Sequence, residues 1–293
     1  MSEGVRFARY YTTSSTCAPS RLALLTSRYP SRAVHVRAKT PSAARQAGVG
    51  ARVDVQGSAL DGEDCAQNLA SALQSVGFRT GLVGKYHLRP SIAGSSKDSY
   101  ADPYSSMQQE VRDCGFDFVD GLYIGNFHNR DPLCDGCDAD GDGVRDFSHN
   151  NEWVTQQALR FINESVTEYS GSPFFLFMNP TPAHTPGTQE ALERYSDTST
   201  PAGELAESPR MREYCASCDE FDARAAVWAA TEAAQYSGTA GRSVVAGAYW
   251  NDMALGTVYR YLQQLGVLDD TILYVTSDHG PGKSLVYEQG VRT

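Results

Sequence analysis

The residue that most invites a chemical reading is Cys17, in "TTSSTCAPSRLALLT", a polar turn followed at once by an apolar run, with Arg21 four residues on. Proline is tolerated in the first helical turn, so Pro19 predicts a helix that begins beside Cys17. A cysteine there faces backbone N–H groups that favour negative charge, and Arg21, one turn on, can face the same side. "TGLVGKYHL" sets Lys85 and His87 two residues apart, on one side of an extended segment, where a cation and an imidazole suit an anion that needs a proton moved. Taken alone, such a pair is more often ordinary surface. His184 lies in the Pro-bounded loop "NPTPAHTP". Asp278 and His279 end the run "TILYVTSDH" and offer a carboxylate oxygen and an imidazole nitrogen to a metal, with Lys283 close behind. "DADGDGVRD" gives Asp138, Asp140 and Asp142 the opening spacing of a calcium loop, a second Ca²⁺ site to weigh against a solvated acidic turn. The twelfth position of that loop is His149, where a glutamate is expected.

The elements that must carry these residues alternate. "EDCAQNLASALQSVG" places Cys65, Leu69, Ala72, Leu73 and Val76 on one helical face, and the strand "RTGLVG" follows. "NEWVTQQALRFINESV" predicts a second amphipathic helix, leading to the apolar strand "FFLFMN". "YWNDMALGTVYRYLQQLG" aligns Trp250, Ala254, Val258, Tyr261 and Leu265, stops at Gly266, and is followed by the strand "TILYVTSD". Helix then apolar strand, three times, indicates an α/β protein with a largely parallel sheet. Ligands of such sheets bind beyond the carboxyl ends of the strands, where Lys85–His87, His184 and Asp278–His279 all fall. Residues 33–62 read as a long loop, and 185–243 as a polar region with a helical patch at "ARAAVWAATEAAQ".

Composition narrows the class. With 41% hydrophobic and 20% charged residues the chain is an ordinary globular protein, and its longest apolar strip, "FFLFM", is far too short to span a bilayer. No signal peptide is visible at its start. The net charge of −10 hides a basic block: residues 1–53 carry nine Lys/Arg and one acid, Glu3. This block is read as lining a pocket for a small anion rather than as a nucleic-acid surface. The chain has seven cysteines, so Cys65, Cys114, Cys134, Cys137, Cys215 and Cys218 can make three disulfides and leave Cys17 over. The alternatives are seven reduced thiols, or a four-thiolate zinc site from Cys134, Cys137, Cys215 and Cys218, against which the long gap between the two pairs argues. Asn163-Glu164-Ser165 is a glycosylation sequon and supports the oxidising reading.

Four stretches, in order, resemble the sulfatase family. "CAPSR" fits its C-x-P-S-R element, and "LLTSRYP" continues it with Ser27 where glycine is usual. "TGLVGKYHL" resembles the G-K-W-H-L element with Tyr86 for tryptophan. "PFFLFMNPTPAHTP" resembles the strand and histidine loop, and "TILYVTSDHGPGKSLVYEQGVR" the metal-and-lysine block, with His279 where many members have asparagine. The resemblance implies an alkaline-phosphatase-like α/β fold, a mixed, mostly parallel sheet between helices. It identifies residues 1–293 as a catalytic domain incomplete at both ends, lacking an upstream strand with two metal-binding aspartates and a C-terminal domain.

By the same resemblance, a formylglycine-generating enzyme oxidises Cys17 to an aldehyde whose hydrate attacks sulfur and later expels sulfate. Arg21 and Lys85 would compensate charge, His87 would act as base, and His184 and Lys283 would bind the sulfate and assist the leaving group. Residue 17, Asp278 and His279 would bind a divalent ion, expected to be Ca²⁺ and, with one carboxylate, held weakly. The implied substrate is a sulfated small molecule or glycan, and the implied location the secretory pathway, extracellular or lysosomal. Little activity is expected of this chain alone. Two other readings stay open: a non-catalytic relic that binds sulfated glycans, and a phosphodiester or phosphonate hydrolase of the same superfamily.

Overall fold

The segment Arg79–Lys85, "RTGLVGK", is buried at all seven positions and forms the central strand β1. A strand covered on both faces needs no polar alternation, which is why its apolar and small residues run together. The computed structural model describes residues 4–32, 59–60, 62–89, 100, 102–126, 147–184, 187–216, 223–234 and 239–280. In it β1 lies between two parallel neighbours, β2 (Phe118–Tyr123) and β3 (Phe174–Asn179). The described helices are α1 (Cys17–Thr26), α2 (Gly62–Ala66), α3 (Leu69–Ser75), α4 (Tyr104–Arg112), α5 (Asn151–Thr167), α6 (Thr188–Arg194), α7 (Ala223–Ala233) and α8 (Thr239–Gln264). None is long and apolar enough to cross a membrane. An α/β architecture with a parallel sheet is therefore what the alternating pattern foretold.

The core sits where α5 crosses the sheet. Trp153, Val154, Ala158, Leu159, Phe161 and Ile162 of this helix are buried with Leu82, Val83, Val119, Leu122 and Tyr123 of β1 and β2. Each large apolar side chain so buried contributes about 1.5–3 kcal/mol. Phe161 lies so close to β1 that a methyl group on Gly81 would stand 2.6 Å from its ring. Arg79 closes this layer: its guanidinium lies over Phe161 and Tyr169 and pairs with Glu164 at 2.5 Å. The helix starts at the Asn150 cap, whose side chain accepts from the Trp153 N–H.

Several expectations are corrected. The helix expected over residues 63–77 is two, because Asn68 stops α2 and caps α3, accepting from the N–H groups of Ala70 and Ser71. Strand β2 was not foreseen, since Asp120 and Gly121 interrupt its apolar pattern; the Asp120 carboxylate is satisfied from other elements, by Tyr104 and Arg160. α8 begins ten residues before the predicted helix and ends as expected at Gly266, which is left-handed at φ 70°. The strand expected at 271–278 forms no ladder: Ile272 is 95% exposed, and Tyr274 instead meets Tyr10 edge-on. A single apolar strand is stable only beside a neighbour, and among the described residues it has none.

The cysteines follow the oxidising reading in part. Cys65 and Cys114 are bridged and Cys215 is disulfide-bonded, which removes the four-thiolate zinc site, while Cys17 is free. Cys134, Cys137, Cys218 and the Asp138–Asp142 loop lie outside the described residues, as does most of the loop expected at 33–62. The sequon is not on a loop. It lies inside α5, where Ser165 is buried against Arg79 and Asn163 Oδ1 accepts from the Tyr261 hydroxyl.

Candidate active site

Helix α1 opens at Cys17 after an extended Thr16, and no side chain caps its first N–H groups. Pro19 needs no hydrogen bond in the first turn, and Ser27 ends the helix in a left-handed conformation at φ 54°. A glycine would take that backbone without a Cβ penalty, which accounts physically for the residue it replaces in the resembling motif.

Arg21 joins three parts of the chain although it is only 7% exposed. Its Nε and one terminal nitrogen both lie 3.0 Å from Asp278 Oδ2, and its other terminal nitrogen donates to the Lys85 carbonyl at 2.8 Å. Ser20, on the same turn, donates its hydroxyl to the Asp278 carbonyl. Burial by itself would raise the Asp278 carboxyl, but the charges of Arg21, His279 and Lys85 outweigh it and hold this group below the usual aspartate range.

Cys17 Sγ stands 3.1 Å from His279 Nε2. The other ring nitrogen, Nδ1, is 2.7 Å from the Gly280 carbonyl. A carbonyl only accepts, so in the neutral ring Nδ1 carries the proton and Nε2 turns its lone pair to the sulfur. The sulfur, Nε2 and an Asp278 oxygen lie within 4.8 Å of one another.

Lys85, at the carboxyl end of β1, is 3% exposed and donates from Nζ to Asn126 Oδ1 at 2.6 Å. The strand reaches this point through Gly84, at φ 85°, where the β1–β2 register slips by a bulge. His87 is also buried, but at φ 58° it has left the extended conformation, so the alternation that would set it on one side with Lys85 does not apply. Its N–H donates to the Ile124 carbonyl at 3.0 Å.

His184 follows β3, the parallel neighbour of β1, so its loop emerges at the same sheet edge as Lys85. Its loop is held from behind. His149 donates from Nε2 to the His184 carbonyl at 3.0 Å and faces Thr181 Oγ1 at 2.7 Å, and Asn251 of α8 donates to the Pro182 carbonyl at 2.9 Å. Gly247 lets α8 approach this closely, since a Cβ there would stand 2.5 Å from that of Ala183.

The structure thus brings Cys17, Arg21, Lys85, Asp278 and His279 into one network, and sets His87 and His184 after the carboxyl ends of adjacent strands. Lys283 lies outside the described residues. Sequence reasoning missed Ser20, Asn126 and the supporting His149; the signal for Asn126 was its place after β2, which was not recognised. The anion pocket expected of the basic block is reduced, because Arg28 pairs with the buried Asp64 at 2.6 Å and only Arg21 among its described residues enters the network. Among the described residues the donors fall short of what Ca²⁺ takes, which is six to eight oxygens. Here one thiol, one imidazole and one carboxylate converge, and Arg21 already occupies one oxygen of that carboxylate.

Comparison with known proteins adds the following. A family model described as Sulfatase matches residues 1–291. Arylsulfatase H of Homo sapiens is 38% identical over 99 residues, 34% of this chain and 16% of that protein. Arylsulfatase G of Rattus norvegicus is 28% identical, over 63% of this chain and 35% of its own. N-acetylgalactosamine-6-sulfatase of Homo sapiens is 25% identical, over 99% of this chain and 45% of its own. The chain thus spans less than half the length of these curated relatives.

Proposed function

The chain belongs to the sulfatase family, and on that premise we propose that its protein hydrolyses sulfate esters of aryl compounds or carbohydrates through a nucleophile made from Cys17. The observation that carries this reading is Arg21, a buried cation that ties the helix of Cys17 to the end of β1 and to Asp278. A formylglycine at position 17, when made, supplies a hydrated aldehyde whose hydroxyl attacks sulfur.

The chain's own residues do the rest. Arg21 and Lys85 hold position 17 and offset the negative charge that grows as the sulfate ester is attacked. Both are preorganised, Arg21 by Asp278 and the Lys85 carbonyl, Lys85 by Asn126. His87 takes the proton that frees the product sulfate. His184 binds the sulfate and, with Lys283, protonates the leaving oxygen. In the converted protein an oxygen of residue 17, with Asp278 and His279, would hold the divalent ion that the family uses, and no step here is routed through it. A sulfated glycan or small molecule as substrate, a formylglycine-generating enzyme as partner and a secretory location complete the proposal; the Cys65–Cys114 bridge supports an oxidising compartment.

Expression beside a formylglycine-generating enzyme should give an aldehyde mass at position 17 and turnover of an aryl sulfate well above that of the matched aryl phosphate. His184→Ala should remove most of that turnover. Intact cysteine in all of the protein, or preference for the phosphate, would overturn the reading.

A further inference from the structure

We propose that His149 and Asn251 are positioning residues for His184: from the start of α5 and the middle of α8 they pin the backbone of residues 181–184, and so set where the His184 side chain stands at the sheet edge. This rests on the hydrolase reading, which gives His184 its role, and adds the residues that aim it.

Each residue of the loop is held. The Pro182 carbonyl accepts from Asn251 Nδ2 at 2.9 Å, and the His184 carbonyl accepts from His149 Nε2 at 3.0 Å. Between them Ala183 packs on α8 at Gly247, where there is no room for a Cβ. The His184 N–H donates to the Thr181 carbonyl at 3.1 Å. The Thr181 hydroxyl lies 2.7 Å from His149 Nδ1 and so returns to the same imidazole. A carbonyl only accepts, so Nε2 carries a proton, and in the neutral ring Nδ1 accepts from Thr181. One imidazole thus ties both ends of the turn that carries His184.

The brace is itself fixed. His149 immediately precedes the Asn150 cap, so its backbone belongs to the helix that crosses the sheet. Its carbonyl accepts from Arg224 at 3.5 Å, and that guanidinium pairs with Glu152 at 3.3 Å and lies over the Trp250 ring. Asn251 Oδ1 accepts from Asn151, which also donates to the Trp250 carbonyl at 3.1 Å. His149, Asn151 and Glu152 are all buried, where polar groups cost stability unless they are hydrogen-bonded. Apolar residues of similar shape would fill such a space at little or no loss. What the polar ones add is direction, since a hydrogen bond fixes the place of a carbonyl and an apolar contact does not. Direction matters to an acid that must reach the leaving oxygen, because a displacement of about 1 Å can cost about a hundredfold in rate.

The test uses the full, converted protein and compares nitrophenyl sulfate with phenyl sulfate, whose leaving oxygen is the more basic and depends more on a proton. His149→Gln keeps an amide N–H near the place of Nε2, whereas His149→Asn reaches only the place of Nδ1. In kcat/KM, His149→Asn should lose about tenfold to a hundredfold on phenyl sulfate and clearly less on nitrophenyl sulfate, while His149→Gln stays within about threefold of wild type on both. In a His184→Ala background, His149→Asn should cost nothing more. Asn251→Leu, which removes the second donor, should show the same inequality between the esters and serves where His149→Asn does not fold. A merely structural role lowers both esters alike. Equal losses on the two esters, a loss in His149→Gln as large as in His149→Asn, or a further loss in the His184→Ala background would overturn the positioning. Failure of the hydrolase reading shows in His184→Ala instead, as a loss equal on both esters.

Discussion

Replacing Gly84 by alanine tests how the sheet delivers Lys85 to the site. Gly84 has a φ of 85°, and a Cβ built on it would lie 2.0 Å from the Asn179 carbonyl oxygen and 2.6 Å from its carbon. Both obstacles are backbone atoms of β3, so no side chain can swing away. To reach an ordinary contact the strands must part by more than about 1 Å, which breaks one or two ladder hydrogen bonds worth about 0.5–1.5 kcal/mol each. The left-handed conformation adds about 1–2 kcal/mol for a residue with a Cβ. Alanine returns about 0.4–1 kcal/mol by restricting the unfolded chain. The net loss is about 2–4 kcal/mol, against about 1 kcal/mol for Gly266→Ala, where φ is 70° but nothing lies within 4 Å of the new methyl. Urea unfolding of the two variants beside the wild type reads the difference directly. Since Lys85 follows Gly84, Gly84→Ala should also lose most aryl sulfate turnover in the converted protein, while Gly266→Ala keeps it. Equal midpoints for the two variants would refute the close β1–β3 approach and the delivery of Lys85 that rests on it.

Two further predictions concern stability. The Cys65–Cys114 bridge closes a separation of 49 residues, for which loop-closure entropy gives about 4 kcal/mol; the double Cys→Ala variant should lose most of this in urea, and a loss under about 1 kcal/mol would count against it. Glu164 is pushed up by burial, but hydrogen bonds from Arg79 and Arg160 outweigh this and hold it below its ordinary value of 4.5. A depressed carboxyl stabilises the fold above its unfolded pKa and loses that stability as pH falls through the folded one, so Glu164→Gln should be less stable near neutrality and show a flatter acid limb of Tm against pH. Parallel acid limbs in variant and wild type would refute the pairing.

Much of this arrangement was legible because local rules and tertiary packing agree. Cys17, Pro19 and the apolar run that follows specify α1 without help from distant residues, and the run of buried residues in β1 reads as a strand on composition alone. What stayed hidden depends on partners far along the chain. β2 looks like a polar turn until Tyr104 and Arg160 are seen to satisfy Asp120. His149, offered by its sequence neighbours as the end of a calcium loop, is buried and holds the His184 loop 35 residues away. His87 could not be placed by strand alternation, because a left-handed residue ends the period. The segment 271–276 shows the converse: an apolar β-type pattern is necessary for a strand, but only a neighbour makes it one.

The two sides of the site are anchored to different degrees, and this bears on what Cys17 can become. Lys85, Arg21 and His87 are each under a tenth exposed and tied to β1 or β2 backbone. Asp278 and His279 have side chains 27% and 24% exposed and follow an unpaired segment, so Arg21, Ser20 and Cys17 hold them in place. Contacts of this kind open locally at lower free energy than a buried strand does. Local release of residues 278–279 would uncover Cys17 while Arg21 keeps its bond to the Lys85 carbonyl, leaving the thiol accessible in an otherwise formed cradle. The partly exposed Asp278–His279 corner, and not the buried β1 side, is therefore where access to Cys17 is set.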